Sequence, residues 1–579
     1  MRFPLNTLPL VVLFSVPALA QNPREPQQLD SGTTAPPSYT PKVDSAKDLT
    51  AVVFKDSNNH IFVTVSTGQG KNYSSPARID DDATGANKYL SEKALKVCGD
   101  NIYVVWRDER NGSDDDVYFT VSTDGGNTWL PNVRIDKGFP AGQAPVRGVR
   151  MDCNNDNIAI VVCVEDPTTG DEEVKLITSP DAGSSFRPPV DASPQNGLSD
   201  HDEIDVKVGD NNEGNIVIVT DVLGINTVLD TVFDAGSGLI TALGTGISTL
   251  ANSLGKKATG GDAVIDDEDG QDDLGMHVVA AAWLMDDAPG GGPDELWVNV
   301  SLDGGVTWLG DQQIGGYLAG IDDVDSPDIL VRADGTILVT WEDNRSGLDE
   351  IYVAVSTDFG FTWLESQVSV SGGGFPQLAG NDDDYVAITF TGRGFPEIPE
   401  MAYSRDGGIT WNVGVNVGGG MTGDADYHEI AYNNLYDNFI CIWLSDDFGI
   451  NNLYAGGMRC QTLSPVGVFT AGAPVSFLVR EFGISEAGGA FQVVVSSVPG
   501  NIVIPGDGRD TGLGSSNLLV QSSNSPALAG QISGIGDGST ATVNFPSTIP
   551  VGTILHCIAV SHSGGSFFSI TDVVTVPVQ

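Results

Sequence analysis

The chain has 579 residues, with 28 Lys and Arg against 77 Asp and Glu, a formal net charge of -49 and an isoelectric point near 4.1. This excess of negative charge repels nucleic acid and anionic membrane surfaces, and it excludes both as general partners. Cations, salt or a basic partner are the natural counter-species. The six cysteines lack the C-x-x-C spacing of a metal site, so we expect buried or paired thiols.

The N-terminal residues have the features of an export signal. Arg2 is followed by an apolar run over residues 8–14 and by the small-residue stretch 18–20. This order predicts a secretory signal peptide over residues 1–20. No later apolar run approaches the ~18 residues of a transmembrane helix. We therefore expect a secreted or cell-surface protein without a membrane span, in which residues 21–48, rich in Pro, Gln, Ser and Thr, form a flexible leader.

A repeating unit follows, over residues 49–464. It consists of an apolar strand, an acidic turn, a second strand and a motif, seen as "VSTDGGNTWL" from Val121, "VSLDGGVTWL" from Val300, "VSTDFGFTWL" from Val355 and "YSRDGGITWN" from Tyr403. Alternating apolar and polar residues with Gly/Asp turns indicate strands, and each unit has a further strand-like segment on either side. Four antiparallel strands in roughly 50 to 60 residues are typical of a propeller blade. The sequence predicts an all-β fold containing a β-propeller, with eight blades as the best count and six or seven as alternatives.

Two segments depart from the repeat. Residues 239–256 place Leu243, Ile247, Leu250 and Leu254 at helical spacing, which predicts a short amphipathic helix over a blade edge. From residue 465 to 579 the motif stops and Ser, Gly, Val and Pro dominate, which predicts a small β-sandwich for adhesion, spacing or sorting.

The motif S-x-D-x-G-x-T-W has a local structural explanation. Its Ser and Asp side chains can accept bonds from nearby backbone amides, Gly permits positive φ, and Trp packs between sheets. We predict that the Asp closes the turn between the third and fourth strands of each blade. The predicted turn residues are Asp124, Asp181, Asp303, Asp358 and Asp406.

On this motif the chain resembles the Asp-box, or bacterial neuraminidase repeat, family, whose best-known members are sialidases. The resemblance implies a sialidase-like β-propeller with the motif on the face away from the active site. Sialidase chemistry would need an arginine triad, a Tyr nucleophile assisted by Glu, and an Asp acid/base, and the family's Phe/Tyr-Arg-Ile-Pro motif is absent here. The candidate arginines on the opposite face are Arg107, Arg110, Arg345 and Arg393, and no catalytic residue is carried over.

Acidic residues collect on that opposite face. One set ends the second strand of seven units: Asp56, Asp108, Asp166, Asp221, Asp286, Asp343 and Asp446. A second set, Glu92, Glu203, Asp328 and Glu429, occupies one repeat position near the start of the innermost strand. One interpretation is turn closure helped by arginines two residues further on. The other is an oxygen-rich Ca²⁺ site, with Asp108, Asp343, Glu203, Asp328 and Glu429 as candidate ligands.

Two histidines, His201 and His428, lie in the same acidic setting, where each is a candidate metal ligand or general acid or base. The hypothesis is an exported propeller that binds glycans or another extracellular protein through its acidic face, with Ca²⁺ as its cofactor. The alternative is a sialidase-like or other glycoside hydrolase, and a scaffold adapted to saline surroundings is a third reading.

Overall fold

The structure is a computed structural model, and it describes residues 23–579 apart from 34, 39, 68–69, 139, 195–198, 210, 223–224, 248–257, 268–275, 287–292, 316–322, 382–383, 447–448, 505–508, 535 and 564–565. The predicted signal peptide thus lies outside the described residues. Strands hold 53% of the chain and helices 3%, which confirms the all-β prediction. In the described part no helix has the length and apolarity needed to cross a membrane.

Eight antiparallel sheets are seen among the described residues up to 459, each built from strands that follow one another in the chain. The short strand β1 (Gln27–Gln28) belongs to the last of them. The first sheet contains β2 (Lys42–Ala46), β3 (Leu49–Lys55), β4 (Ile61–Thr67) and β5 (Ala77–Arg78). The second contains β6 (Lys88–Tyr89), β7 (Leu95–Cys98), β8 (Asn101–Asp108), β9 (Asp116–Ser122) and β10 (Val133–Arg134).

The next three sheets repeat this order. The third contains β11 (Val146–Asn154), β12 (Asn157–Glu165), β13 (Glu172–Ser179) and β14 (Val190–Asp191). The fourth contains β15 (Ser199–Val208), β16 (Glu213–Val222), β17 (Ile225–Asp234) and β18 (Leu239–Gly246). The fifth contains β19 (Ala258–Asp267), β20 (Val279–Asp286), β21 (Asp294–Ser301) and β22 (Gln312–Gln313).

The last three complete the set. The sixth sheet contains β23 (Val324–Val331), β24 (Ile337–Asp343), β25 (Glu350–Ser356) and β26 (Leu364–Gln367). The seventh contains β27 (Gly373–Gly380), β28 (Val386–Gly392), β29 (Ile398–Ser404) and β30 (Asn412–Asn416). The eighth contains β31 (Ala425–Asn433), β32 (Asn438–Ser445), β33 (Asn452–Arg459) and β1 as its outer strand.

One strand of each sheet, here called its inner strand, faces the centre of a closed ring. The inner strands are β2, β7, β11, β15, β19, β23, β27 and β31. Each contacts the inner strand of the next sheet, and β31 of the eighth sheet contacts β2 of the first. Apolar side chains fill the space between neighbouring sheets. The second strands supply the largest of them, the fully buried Trp106, Trp283, Trp341 and Trp443. A sheet with two apolar faces must pack against neighbours, so a ring of such sheets buries them all.

Two predictions about local structure were wrong. Residues 27–28 and 42–46, in the predicted flexible leader, form β1 and β2. The composition of the leader gave no sign of this, because β1 pairs with β33 at the far end of the ring. Residues 239–246, predicted as helix, form the edge strand β18, in which Leu243 is exposed. The rest of that predicted helix lies largely outside the described residues.

A C-terminal region follows the ring. Its strands are β34 (Thr462–Gly467), β35 (Pro474–Arg480), β36 (Ala490–Ser496), β37 (Ala529–Gln531), β38 (Gly538–Ser539), β39 (Val543–Asn544), β40 (Ile554–Ser563), β41 (Ser566–Ile570) and β42 (Val574–Pro577). They form two sheets around a common apolar core, with one short helix, α1 (Asn517–Ser523), and two single 3₁₀ turns, Ile484–Glu486 and Pro526–Leu528.

The C-terminal region is fixed to the ring by buried polar contacts. Glu486 accepts a hydrogen bond from the Tyr385 hydroxyl of the seventh sheet at 3.2 Å. Asp572 lies against Arg24, Lys71 and Arg459, which come from the N-terminal segment, the first sheet and the eighth sheet. The C-terminal region therefore contacts the seventh sheet and the seam between the first and eighth sheets.

Candidate functional site

A cavity of about 390 Å³ opens at the centre of the ring. It is lined by residues of seven sheets, which belong to the inner strands or to the segments that lead into those strands. Its described charged lining residues are Glu92, Lys93, Lys96, Arg150, Asp205, Lys207, Asp266, Asp328 and Glu429. The cavity therefore combines five carboxylates with four cations, and it is not the purely acidic site that the sequence predicted.

The charged groups of the cavity are mostly paired with each other. Lys93 contacts Asp205 at 2.8 Å. Lys207 contacts Asp266 at 3.0 Å. The Arg150 guanidinium lies between two carboxylates, at 2.8 Å from Glu92 and 2.5 Å from Glu203. Because these ions are paired, the cavity has little net charge, and their remaining hydrogen-bond donors and acceptors can still bind a ligand.

Several of the same carboxylates tie neighbouring sheets together. Each accepts a hydrogen bond from a backbone N–H of the next inner strand, which satisfies two buried polar groups at once. The bonds are Val97 to Asp44 (2.7 Å), Val208 to Asp152 (2.8 Å), Ile265 to Asp205 (3.2 Å), Val331 to Asp266 (2.7 Å), Leu378 to Asp328 (2.7 Å) and Val43 to Glu429 (2.9 Å). We call these six contacts the carboxylate junctions. They explain why acidic residues recur on the inner strands.

The two remaining sheet boundaries have other links. A disulfide between Cys98 and Cys153 joins the second and third sheets. Between the seventh and eighth sheets, His428 Nδ1 lies 2.9 Å from the Thr391 hydroxyl. Burial lowers the pKa of His428 to about 4, so this ring is neutral near pH 7. The other described cysteines are buried free thiols, as the sequence predicted.

His201 is also buried, and its backbone N–H donates to Glu172 at 2.9 Å. In the described part of the chain, no group of three His, Cys, Asp or Glu residues has the spacing of a metal site. The structure thus places both histidines inside the ring wall, and their proposed metal or acid/base roles stay predictions.

Two carboxyls at the cavity have pKa values far above those of exposed acids. Burial raises the pKa of Asp328 to about 7, although two backbone N–H groups donate to it. Burial also raises the pKa of Glu203 to about 7, against the opposing effect of Arg150. Displaced values of this kind are common where a protein binds or transforms a ligand.

The raised pKa of Asp328 predicts a pH-dependent stability. Between about pH 4 and pH 7 the folded state holds a proton that the unfolded chain has lost, so the free energy of unfolding falls as pH rises. We expect Asp328→Asn to flatten this fall by about 1–3 kcal/mol between pH 5 and pH 8. Urea unfolding of both proteins across this range measures it, and an unchanged slope would contradict the assignment.

Three inner strands have a β-bulge at the rim of the cavity. The inner strands of the sixth, seventh and eighth sheets shift register two to three residues before Asp328, Gln377 and Glu429. At each shift a residue other than Gly has positive φ: Ser326 (51°), Phe375 (57°) and Tyr427 (51°). This conformation is costly for a bulky side chain, and such strain clusters at functional sites.

Phe375 and Tyr427 are exposed despite their size, at 63% and 48% of their surface. Phe375 lines the cavity, and its backbone N–H donates to Glu342 at 3.2 Å. The bulges therefore leave two aromatic side chains exposed: Phe375, which lines the charged cavity, and Tyr427, which stands two residues before the lining residue Glu429. This arrangement could not be predicted from the sequence, because positive φ at an aromatic residue has no local pattern.

The predicted calcium ligands are not brought together. Asp328 and Glu429 line the cavity and Glu203 contacts its wall through Arg150. Asp108 and Asp343 instead accept from Arg110 and Arg345 at the ends of β8 and β24. The prediction of turn closure by arginine is confirmed for these two residues, and their contacts argue against a calcium ligand role. Calcium binding elsewhere in the cavity stays a prediction.

A buried lysine side chain neutralises a further group of carboxylates. Lys88 is fully buried, and its Nζ lies 2.8 Å from Asp82, 3.8 Å from Asp80 and 3.9 Å from Asp108. The ammonium group supplies the positive charge that a metal ion would otherwise bring to these three carboxylates. Lys88 was not among the residues predicted from the sequence.

The other end-of-strand acids also serve turns. Asp56 accepts from the backbone N–H groups of Asn58 and His60 at 2.9 and 2.8 Å. Asp166 accepts in the same way from the backbone N–H of Thr168, whereas Asp446 accepts from the backbone N–H of Asp424, in the segment that leads into β31. The side chains of Asp221 and Asp286 lie outside the described part.

The candidate arginines do not form a triad. Arg107 contacts Asp115 at 3.2 Å, and Arg393 contacts Glu342. Together with the pairs of Arg110 and Arg345, these contacts direct the four guanidinium groups to four different carboxylates. Among the described residues that line the central cavity, Arg150 is the arginine. A sialidase-like arginine cluster is therefore not assembled by these residues.

The motif turns behave as predicted. Asp124 Oδ1 accepts from the Thr128 N–H and the Ser122 hydroxyl, both at 2.8 Å, and Oδ2 accepts from the Thr128 hydroxyl at 2.7 Å. The same bonds recur at Asp181, Asp303, Asp358 and Asp406. These carboxylates are fully engaged in turn closure, between the third and fourth strands of their sheets.

Three lysines of the inner strands share a short sequence pattern. The dipeptide Lys-Val recurs at Lys42, Lys96 and Lys207, each directly before an N–H donor of a carboxylate junction. The alternation of a strand turns the Val side chain toward the sheet interface and the Lys toward the carboxylates.

Comparison with known proteins adds little to these contacts. No profile of a known family matches the chain, and no curated protein matches it. A solved ulvan lyase is 14% identical with a TM-score of 0.38, and the match covers 64% of this chain and 92% of that one. The NanB sialidase from Streptococcus pneumoniae is 11% identical with a TM-score of 0.31, covering 80% and 90%. The Trypanosoma rangeli sialidase is 10% identical with a TM-score of 0.33, covering 95% and 91%. Likenesses this weak leave the function to be argued from the site.

Proposed function

We propose that the protein is an exported eight-bladed β-propeller, followed by a small β-sandwich, that binds glycans at the mouth of its central cavity. The observation that carries the proposal is Phe375, an exposed aromatic residue held at positive φ in the cavity lining; Tyr427, also exposed and at positive φ, occupies the equivalent bulge of the next sheet. An aromatic face is an apolar surface against which a sugar ring can stack. The surrounding carboxylates, ammonium groups and amides supply donors and acceptors for hydroxyl groups.

The charges of the cavity favour a neutral glycan. Its cations are paired with carboxylates, so an added carboxylate or sulfate group would find no uncompensated positive charge among the described lining residues. The net charge of -49 would further repel a polyanion during approach. This replaces the acidic-face prediction with a site that is polar but internally neutralised.

The test is affinity electrophoresis in gels that contain laminarin, arabinan or galactomannan as neutral polysaccharides, or alginate and polygalacturonate as anionic ones. We expect a neutral polysaccharide to retard the wild-type protein, and Phe375→Ala to weaken that binding about tenfold or more, as for a central aromatic contact. Phe361→Ala is the matched control, because Phe361 is 62% exposed but lies in a motif turn on the opposite face.

Equal retardation of the Phe375→Ala and Phe361→Ala variants would contradict the proposal, as would retardation by the anionic polysaccharides alone. The same gels with EDTA or added CaCl₂ test the calcium prediction separately.

A glycoside hydrolase is the second candidate. It is favoured by Asp328 and Glu203, two carboxyls with pKa values of about 7 at or beside the cavity, since acid/base catalysis near neutral pH needs such groups. Fluorogenic glycosides, including a sialoside, measure it directly. Turnover abolished by Asp328→Asn or Glu203→Gln would support hydrolysis, whereas binding without turnover would leave only the glycan-binding proposal.

A further inference from the structure

A second groove lies beside the central cavity on the same face. It has a volume of about 360 Å³ and is formed by the seventh sheet and by the segment that leads into the eighth. The groove is lined by Arg393, Phe395, Glu400, Asn416 and Met421, among others. None of these residues took part in the site described above, apart from the ion pair of Arg393 with Glu342.

Phe395 is the most exposed large apolar residue of the described chain, at 97% of its surface. It belongs to the turn between β28 and β29, which lies on the same face as the start of the inner strand β27. A fully exposed aromatic ring next to a groove costs solvation free energy unless a ligand covers it.

Glu400 lies beneath that turn and faces the groove. Its side chain lies close to two glycines, so that a Cβ at Gly392 would be 2.8 Å from Oε1 and one at Gly414 would be 2.5 Å from Oε2. The carboxylate is partly buried, and it has no hydrogen bond or ion pair to any described residue. Burial raises its pKa above the ordinary value. An acceptor in this position is suited to the hydroxyl groups of a sugar.

The groove and the central cavity are linked through one side chain. Glu342 pairs with Arg393, which lines the groove, and accepts from the backbone N–H of Phe375, which lines the cavity. Gly372 lines the groove only three residues before Phe375, so at most about 11 Å of backbone separates the two. A linear ligand can therefore contact both without leaving the surface.

We propose that the groove is a second sugar-binding subsite, and that the natural ligand is an extended polysaccharide lying across Phe375 and Phe395. The proposal rests on glycan binding at the central cavity and specifies its ligand as a polymer and not a terminal sugar. In the groove, Phe395 supplies the stacking surface and Glu400 and Asn416 bind hydroxyl groups.

The experiment compares Phe395→Ala and Glu400→Gln with wild type and with the Phe361→Ala control. The probes are the panel polysaccharides named above, and the disaccharides and octasaccharides cut from whichever of them retards the wild-type protein, measured by titration calorimetry. We expect both groove variants to weaken octasaccharide binding about tenfold while leaving disaccharide binding unchanged. Thermal unfolding should be similar for all four proteins, because Phe395 and Phe361 are exposed and Gln has nearly the same size as the partly buried Glu400 that it replaces.

The outcomes separate the two proposals. If no panel polysaccharide retards the wild-type protein, glycan binding and the second subsite both fall. If the wild type binds and Phe375→Ala weakens binding, but the groove variants bind the octasaccharide as well as wild type does, the subsite alone is overturned. Equal loss of disaccharide and octasaccharide binding in the groove variants would also overturn it, because the groove would then be part of a single compact site.

Discussion

Replacing Lys88 with Met is expected to lower the free energy of unfolding by about 3–5 kcal/mol. The ammonium is fully buried within 4 Å of Asp80, Asp82 and Asp108. Met fills a similar volume but leaves these carboxylates without their central cation. Breaking one side of a buried ion cluster costs far more than removing the whole cluster, because the remaining charges stay buried and unpaired.

Chemical denaturation at pH 7 measures this loss, with Lys137→Met as the control. Lys137 is exposed, and surface substitutions of this kind usually change stability by less than about 0.5 kcal/mol. Adding Asp82→Asn to Lys88→Met should recover part of the stability, since it removes the carboxylate nearest the lost ammonium. A Lys88→Met variant as stable as wild type would show that the three carboxylates do not depend on the lysine.

The second large effect is expected at Asp572, which connects the C-terminal region to the seam between the first and eighth sheets. Its Oδ1 lies 3.3 Å from Arg24, 3.0 Å from Lys71 and 3.5 Å from Arg459. Asp572→Asn removes the anion that holds three cations together. Because the Asp572 side chain is 34% exposed, solvent screens part of this attraction, and we expect a loss of about 2–3 kcal/mol at pH 7.

The pH dependence gives this prediction a second readout. Arg24, followed by Arg459 and Lys71, holds the pKa of Asp572 well below its usual range. A depressed folded-state pKa stabilises the protein above the unfolded value of about 3.9, and this stabilisation is lost as pH falls below it. The difference between wild type and Asp572→Asn should therefore shrink below about pH 4, whereas Asp100→Asn, at an exposed turn, should match wild type throughout. A constant difference across this range would contradict the ionic explanation.

The repeating strands and their turns could be predicted from the sequence because both have local patterns. Strand alternation repeats every two residues, and the Asp124 motif specifies its own hydrogen bonds within seven residues of chain. The position of β1 could not be predicted in this way, since Gln27 and Gln28 pair with Ala455 and Tyr454. The helix expected at 239–256 was wrong over residues 239–246, because its spaced apolar residues are also compatible with a strand whose outer face is exposed.

Asp328 and Glu429 were placed from the sequence near the start of the inner strands, and they line the central cavity there, but the cations around them were not predicted. Acids such as Asp328 and Glu429 led to the prediction of a negatively charged surface. The groups that pair with these carboxylates belong to the neighbouring sheet, so the local sequence does not reveal them. Partners such as Lys42 lie hundreds of residues from the carboxylates that they neutralise. Exposure of Phe375 likewise depends on a bulge that arises only when β27 and β28 pair.

The pairing of β1 with β33 has a consequence for how the protein is made. The eighth sheet needs its outer strand from residues 27–28 and its other three strands from residues 425–459, so the circle cannot close on a growing chain. Until synthesis has passed residue 459, the ring stays open. Pairing between strands so far apart in the sequence slows folding. Maturation is therefore a late event that follows completion of the polypeptide, and truncation before the last sheet should yield an aggregation-prone product instead of a smaller working protein.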